Sequence, residues 1–326
     1  MGIEKAGRRL LLGWLLALAL CGAALAWEEP PELVPGGSLV GIRVEAEGVV
    51  VAAVSEAAAG LRPGDVITAL DGQPVHCIED FKAALAAWAG ESVSLRYSRE
   101  GAERELSLAP TENETGAPEL GLWLRDGLAG LGTLSFTQPE TGLFGALGHA
   151  VNDVDSGVLL PLREGSVAPA ELSGAVAGSA GRPGELLGSF DLTESAGSIE
   201  KNTEKGVFGR LESGSPLAEG EALPALARAE LREGPAVIRC NVDGAVREYA
   251  VRIDRLFPER SDGRDLMLTV TDPNLLALTG GIVQGMSGSP ILQDGRLAGA
   301  VTHVLVNDPA RGYGISIETM LEAMDN

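Results

Sequence analysis

The sequence predicts a mainly β protein built from two folded units. Three observations carry this: 44 glycines, only 4% aromatic residues, and short apolar runs repeatedly broken by Gly, Pro and Asp. Glycine supplies the positive φ of tight turns, and apolar runs of this length between turn residues suit strands. The 326 residues, 45% hydrophobic and 22% charged, are enough for two cores, since a single domain usually takes about 100 to 200 residues. A formal net charge of -21 disfavours nucleic acid and anionic lipid as partners, because both are held by clustered Lys and Arg.

The N-terminus reads as an export signal. Lys5, Arg8 and Arg9 precede an apolar run over residues 10–26, and Ala24-Leu25-Ala26 fits the small-x-small cleavage rule. The run is also nearly long enough to span a bilayer. Residues 1–26 are therefore expected to be a signal peptide or a signal anchor, the second giving a membrane tether through residues 10–26. Either way the remainder lies outside the cytoplasm. Cys21 follows Leu20, where a lipoprotein site wants a small residue. An acidic tether, residues 27–33, leads into the first unit. Cys77 and Cys240 fall in different units and are expected as free thiols. With no CxxC, no HExxH and only His76, His149 and His303 as histidines, neither a metal nor a cofactor is expected.

The first unit is expected at residues 34–110. Pro35-Gly36-Gly37-Ser38 opens a strand over 39–44, a second strand covers 48–54, and a third covers 66–70 before the Asp71-Gly72 turn. Ile78, Phe81, Leu85 and Trp88 then recur at helical spacing, and residues 93–97 return to β. This order of elements, with Ala59-Gly60-Leu61-Arg62-Pro63-Gly64-Asp65-Val66-Ile67, resembles the α+β PDZ family as found in bacterial exported proteases. The resemblance implies a bound peptide that adds as a strand beside the one following a Gly-rich loop, its carboxylate held by N–H groups of that loop. Mapped onto this chain the loop is Gly36, Gly37 and Ser38, and the strand starts at Leu39. That these glycines merely turn the chain stays open.

Residues 111–116 are polar and mark the boundary to a second unit, 111–326. Its apolar runs at 130–136, 157–160 and 236–240 suit a barrel or sandwich, and only residues 318–324 carry helical spacing. The chemistry centres on Gly285-Met286-Ser287-Gly288-Ser289-Pro290. A nucleophilic serine needs a backbone that presents its hydroxyl while nearby N–H groups converge on the developing oxyanion, and flanking glycines permit that. The hexapeptide resembles the Gly-x-Ser-Gly-[Gly/Ser]-Pro motif of trypsin-like proteases, which implies a double β-barrel, Ser287 as nucleophile, and the N–H groups of Gly285 and Ser287 as oxyanion hole. Ser289 stands two places too late. The base should be a histidine, whose pKa lies near the operating pH. His149, among small residues, leads His303, which follows the serine on a strand at 300–306 where such folds build the primary pocket. Asp272, 15 residues before Ser287, is the leading orienting carboxylate, with Asp153 and Asp155 as alternatives.

Residues 144–157, 271–290 and 299–315 together resemble the sporulation stage IV protein B peptidases, and the likeness covers nearly the whole chain. In that family the His of the Gly-Ala-Leu-Gly-His-Ala segment, the Asp of Thr-Asp-Pro and the first Ser of Gly-Met-Ser-Gly-Ser-Pro form the triad, which maps onto His149, Asp272 and Ser287. The resemblance implies a self-processing serine endopeptidase, exported from the forespore into the space between two membranes. There it would cleave the exported part of a membrane protein that restrains an intramembrane protease, leading to sigma-factor activation. The PDZ unit would add a peptide ligand. A non-catalytic PDZ adaptor with a degenerate protease fold, or a general envelope quality-control protease, are the alternatives; the second carries its PDZ after the catalytic domain.

Overall fold

The structure, a computed structural model, describes residues 29–191, 193–260 and 262–326. The expected export signal, residues 1–26, lies outside the described residues. Among the described residues no helix is long and apolar enough to cross a membrane.

Two long strands organise the N-terminal half. After β1 (Glu32–Pro35), β2 (Leu39–Val54) runs for 16 residues, where the sequence reads two separate strands. The chain then enters a small unit containing β3 (Val66–Leu70), β4 (Gln73–Pro74), helix α1 (Ile78–Ala86), β5 (Val93–Arg99), β6 (Ala102–Leu108) and the short pair β7 (Thr111–Glu112) and β8 (Pro118–Glu119). It leaves along β9 (Leu122–Thr137), which pairs antiparallel with β2 from Val54↔Leu122 to Leu39↔Thr133. The PDZ unit thus starts near Gly48 and ends near Arg125, inserted between the two halves of one hairpin. The units expected at 34–110 and 111–326 therefore share strands, since residues 39–45 of β2 pair with residues 127–133 of β9 inside the barrel. The reason is long-range pairing: residues 40–46 of β2 are held by β9 on one edge and by β11 (Leu162–Val176) on the other.

Those strands belong to a barrel. With β10 (Leu143–Ala146), β13 (Gly197–Thr203) and β14 (Gly206–Leu211), the order β9-β10-β14-β13-β11-β2 closes back on β9, and β12 (Glu185–Phe190) extends β11 outward. Phe144, Val40, Leu134, Val167 and Val207 fill its interior; a fully buried phenylalanine of this kind contributes about 1.5 to 3 kcal/mol. The apolar run at 157–160 forms no strand; it is a turn region tied by the bridge Asn152↔Leu159 and by the Leu160 N–H to the Val151 carbonyl. β15 (Leu223–Pro224) pairs with β1.

The second barrel follows. β16 (Gly234–Asn241), β17 (Val246–Leu256), β18 (Leu266–Val270), helix α2 (Pro273–Thr279), β19 (Pro290–Gln293), β20 (Arg296–Leu305) and β21 (Asp308–Ser316) give the closed order β16-β17-β18-β21-β20-β19. Helix α3 (Ile317–Asp325) is capped by the Ser316 hydroxyl, which accepts from the Thr319 N–H, and buries Met320 and Met324 against both barrels. Two six-stranded barrels of alternating buried residues are the trypsin-like architecture.

The inserted unit keeps its own core of Ile67, Leu70, Phe81, Leu85 and Leu95. Its Arg62-Pro63-Gly64-Asp65 turn has a clear cause. The Asp65 carboxylate is fully buried, accepts the Arg62 N–H at 2.8 Å, and is gripped by Arg99 through two bonds of 2.6 and 2.7 Å.

Candidate active site

Ser287 lies in the loop between α2 and β19, where Gly285 and Gly288 take φ of +94° and +96°. A Cβ on Gly288 would stand 2.0 Å from the Thr133 carbonyl oxygen, so only glycine fits where this loop meets β9. β9 holds the loop from the other side: the Thr133 N–H donates to the Ser287 carbonyl at 2.9 Å and the Thr133 hydroxyl to the Gly285 carbonyl at 2.7 Å. With that carbonyl engaged, the N–H groups of Gly285 and Ser287 have no acceptor among the described residues. They are the two donors expected of an oxyanion hole. Ser289 is buried with its hydroxyl spent on the Met286 carbonyl at 2.7 Å, which removes it as a nucleophile.

His149 follows β10. Leu147 and Gly148, with φ of +67° and +71°, turn the chain out of the barrel, and a side chain on Gly148 would meet Thr302 and Ile315 at 2.8 and 2.9 Å. A leucine in the left-handed region costs on the order of 1 to 3 kcal/mol, held here by burial of its side chain. His149 and Ser287 line one cleft of about 340 Å³, with Leu131, Val151, Val154 and Gln284. His149 Nδ1 lies 2.8 Å from the Ala150 carbonyl. A carbonyl only accepts, so Nδ1 carries the proton and the neutral ring keeps its lone pair on Nε2, the form a general base needs. Burial lowers the His149 pKa, opposed by that carbonyl.

The structure does not bring Asp272 to His149. Its carboxylate caps α2, accepting the N–H groups of Asn274 and Leu275 at 2.9 and 3.2 Å, and also takes the Ala250 N–H at 3.3 Å. The Thr-Asp-Pro segment reads equally as a helix start, with Asp at N-cap and Pro at N1. Asp153 and Asp155 bind Arg125 instead, at 3.2 and 2.8 Å. The group that meets His149 Nδ1 is instead the Ala150 carbonyl, which no side-chain motif announces. His303 faces His149 with ring centroids 5.3 Å apart; its Nδ1 is buried without a partner among the described residues, and burial with His149 beside it lowers its pKa to about 4.

The expected peptide-binding loop is also relocated. Gly36 and Gly37 donate to the Ser135 and Leu134 carbonyls, and Ser38 and Leu39 continue into a strand whose two edges are both paired. No peptide can add there. The groove of the PDZ unit, about 820 Å³, lies between α1 and the start of β9, lined by Phe81, Leu85, Leu120, Leu122, Trp123 and Leu124. Its mouth is Leu120-Gly121, whose N–H groups have no acceptor among the described residues. Leu120-Gly121-Leu122 is itself a glycine loop before an apolar run, a signal outweighed in sequence by Gly36-Gly37.

Cys77 and Cys240 are free thiols; burial pushes the Cys240 thiol up to about 12, leaving it inert. Cys77, Glu79 and Asp126 place ligand atoms within 4.8 Å of one another, but Asp126 already accepts the Ile78 N–H at 2.8 Å, and we assign them no metal.

Residues 37–109 match the PDZ domain family, and residues 116–321 match the family described as SpoIVB peptidase S55. Atu1380 of Agrobacterium fabrum, named for a zinc metalloprotease, is 35% identical over 77 residues, 24% of this chain and 20% of that one. R01501 of Rhizobium meliloti, with the same kind of name, is 32% identical over 75 residues, 23% and 20% of the two chains. The chain spans a fifth of the length of these curated relatives. The PDZ domain of the SdrC-like protein Lmo2051 of Listeria monocytogenes is 26% identical over 25% of this chain and 90% of that one, with a TM-score of 0.23. The Rv3671c protease of M. tuberculosis in its active form is 14% identical over 61% and 74%, with a TM-score of 0.36. The HtrA-type protease AlgW with decapeptide is 11% identical over 89% and 64%, at 0.37. The peptidase match extends over well over half of the sequence and encloses both His149 and Ser287, and the chain belongs to the SpoIVB peptidase S55 family.

Proposed function

We propose that Ser287 and His149 carry out peptide hydrolysis as a dyad oriented by a backbone carbonyl. The observation that supports this is the shared cleft, with a bare Nε2 lone pair on one side and two free N–H groups around the serine on the other. Ser287 Oγ turns to His149 and attacks the substrate carbonyl while its proton passes to Nε2. The oxyanion forms against the N–H groups of Gly285 and Ser287. The C–N bond then breaks, the proton goes to the leaving amine, and a water deprotonated by the same ring hydrolyses the ester.

The substrate in this reading is the extracytoplasmic part of a membrane protein that restrains an intramembrane protease, cleaved in a sporulating bacterium so that a sigma factor becomes active. The apolar N-terminal run supports export, and the family supports self-processing in the forespore intermembrane space. The test compares the masses of exported wild type, Ser287→Ala and His149→Ala after purification. Trimming ahead of β1 in the wild type alone supports the reading, whereas trimming in Ser287→Ala refutes Ser287 as nucleophile.

A further inference from the structure

The PDZ groove and the catalytic cleft open onto the same edge of the same strand. β9 pairs with β2 along one edge from Leu122 to Thr133. Along its other edge, among the described residues, the backbone finds its first partners at Thr133, whose N–H meets the Ser287 carbonyl, and at Leu134, which pairs with Ala146. Residues 122–132 leave that edge unpaired, starting beside Trp123 in the groove and passing residues 128–131 in the cleft wall. Backbone groups alternate between edges along a strand, so the N–H groups of Leu131 and Ala129 face the same side as that of Thr133. An unpaired edge accepts an added strand.

The free N–H groups of Leu120 and Gly121 fix the polarity. They stand at the start of β9, where a terminal carboxylate finds two donors, and a ligand held there runs antiparallel to β9, its upstream residues heading for Ser287. Ten residues at about 3.3 Å each cover roughly 33 Å, the length of β9 from Leu122 to Gly132.

We propose that one extended polypeptide fills both sites, and that the enzyme cuts chains with a free, apolar C-terminus about ten residues from that end. This rests on the hydrolytic reading above. The fragment that stays in the groove carries the new amino group, which receives the proton from His149, while the upstream part forms the ester on Ser287 and leaves as a carboxylate after water attacks.

The decisive substrates are repeats of Ala-Ser-Val with a free carboxylate, because every third bond is then chemically identical and only distance from the end distinguishes them. With wild-type full chain, mass spectrometry of an 18-mer and a 24-mer should show the same released C-terminal fragment, about nine to eleven residues long, and amidating the last residue should slow its release at least about tenfold. Cleavage spread evenly along the repeat, or equal rates for acid and amide, overturns the proposal. A second arm needs no activity. In Ser287→Ala, the 18-mer should bind at least about tenfold tighter than its last six residues and slow hydrogen exchange at Ala129 and Leu131. Equal affinity of long and short peptides, with no protection at those amides, refutes the shared edge even if Ser287 reacts normally with a fluorophosphonate. Failure of that labelling and of all cleavage, with the binding result intact, would instead strike the hydrolytic reading.

Discussion

The hydroxyl of Ser287 donates to the Thr302 carbonyl at 2.8 Å, so its proton is held by backbone and not by His149, which lines the same cleft. Ser287 Oγ thus rests against backbone, and in the proposed mechanism it turns to His149 by rotating its side chain. Replacing Ser287 by Ala removes one such bond, a change of about 1 kcal/mol. It should leave the thermal midpoint nearly unchanged while lowering peptidase activity at least about 1000-fold. Retained cleavage of an unfolded protein would contradict the assignment.

His149 works as a base only when neutral, and burial holds its pKa below the ordinary value near 6.5. The acid limb of kcat/KM should therefore fall below pH 6.5. A limb at or above pH 7 would require a carboxylate beside the ring. His303 gives a stability effect of defined sign: its pKa is about 4 when folded and near 6.5 when unfolded, so the unfolded chain binds more protons between these values. Stability is full above pH 6.5 and drops as pH falls towards 4. His303→Gln should flatten that drop in denaturant titrations.

Asp272 separates two roles by chemistry. As an N-cap it tolerates Asn and loses about 1 kcal/mol on change to Ala. As a triad member it would lose roughly 10000-fold in kcat on change to Asn. Its bonds to the N–H groups of Asn274 and Leu275 lead us to expect Asp272→Asn to keep activity within about tenfold, measured alongside the urea midpoint.

Trp123 is 60% exposed at the PDZ groove, so Trp123→Ala should weaken binding of an apolar C-terminal peptide about tenfold without unfolding the unit. Ser38→Ala, in the loop that β9 covers, should leave that affinity unchanged. The reverse pattern in a titration would return the groove to Gly36-Gly37.

Arg125 is the cation that pairs with Asp153, a carboxylate only 1% exposed. Arg125→Met leaves that charge buried and should cost about 3 to 5 kcal/mol in urea unfolding, with Asp153→Asn added in the same chain recovering much of it. A loss below 1 kcal/mol would mean that water reaches Asp153.

The sequence by itself determined what local chemistry dictates. Gly285 and Gly288 mark the tight loop at Ser287, Ile78, Phe81 and Leu85 mark α1, the Asp71-Gly72 turn ends β3, and the peptidase and PDZ identities follow from contiguous motifs. Tertiary structure decided everything that depends on which edges pair. Leu39 and Ile42 look like a PDZ strand until β9 and β11 occupy both sides of β2, and Leu120-Gly121, read with the second unit, faces the groove only because α1 packs opposite. Asp272 looks catalytic until its carboxylate meets the free N–H groups of α2, and the Ala150 carbonyl, present in every residue type, becomes distinctive only by lying 2.8 Å from His149. Backbone partners carry no side-chain signature, and strand pairing across long loops is set by closure of the barrel, so neither could be read from the order of residues alone.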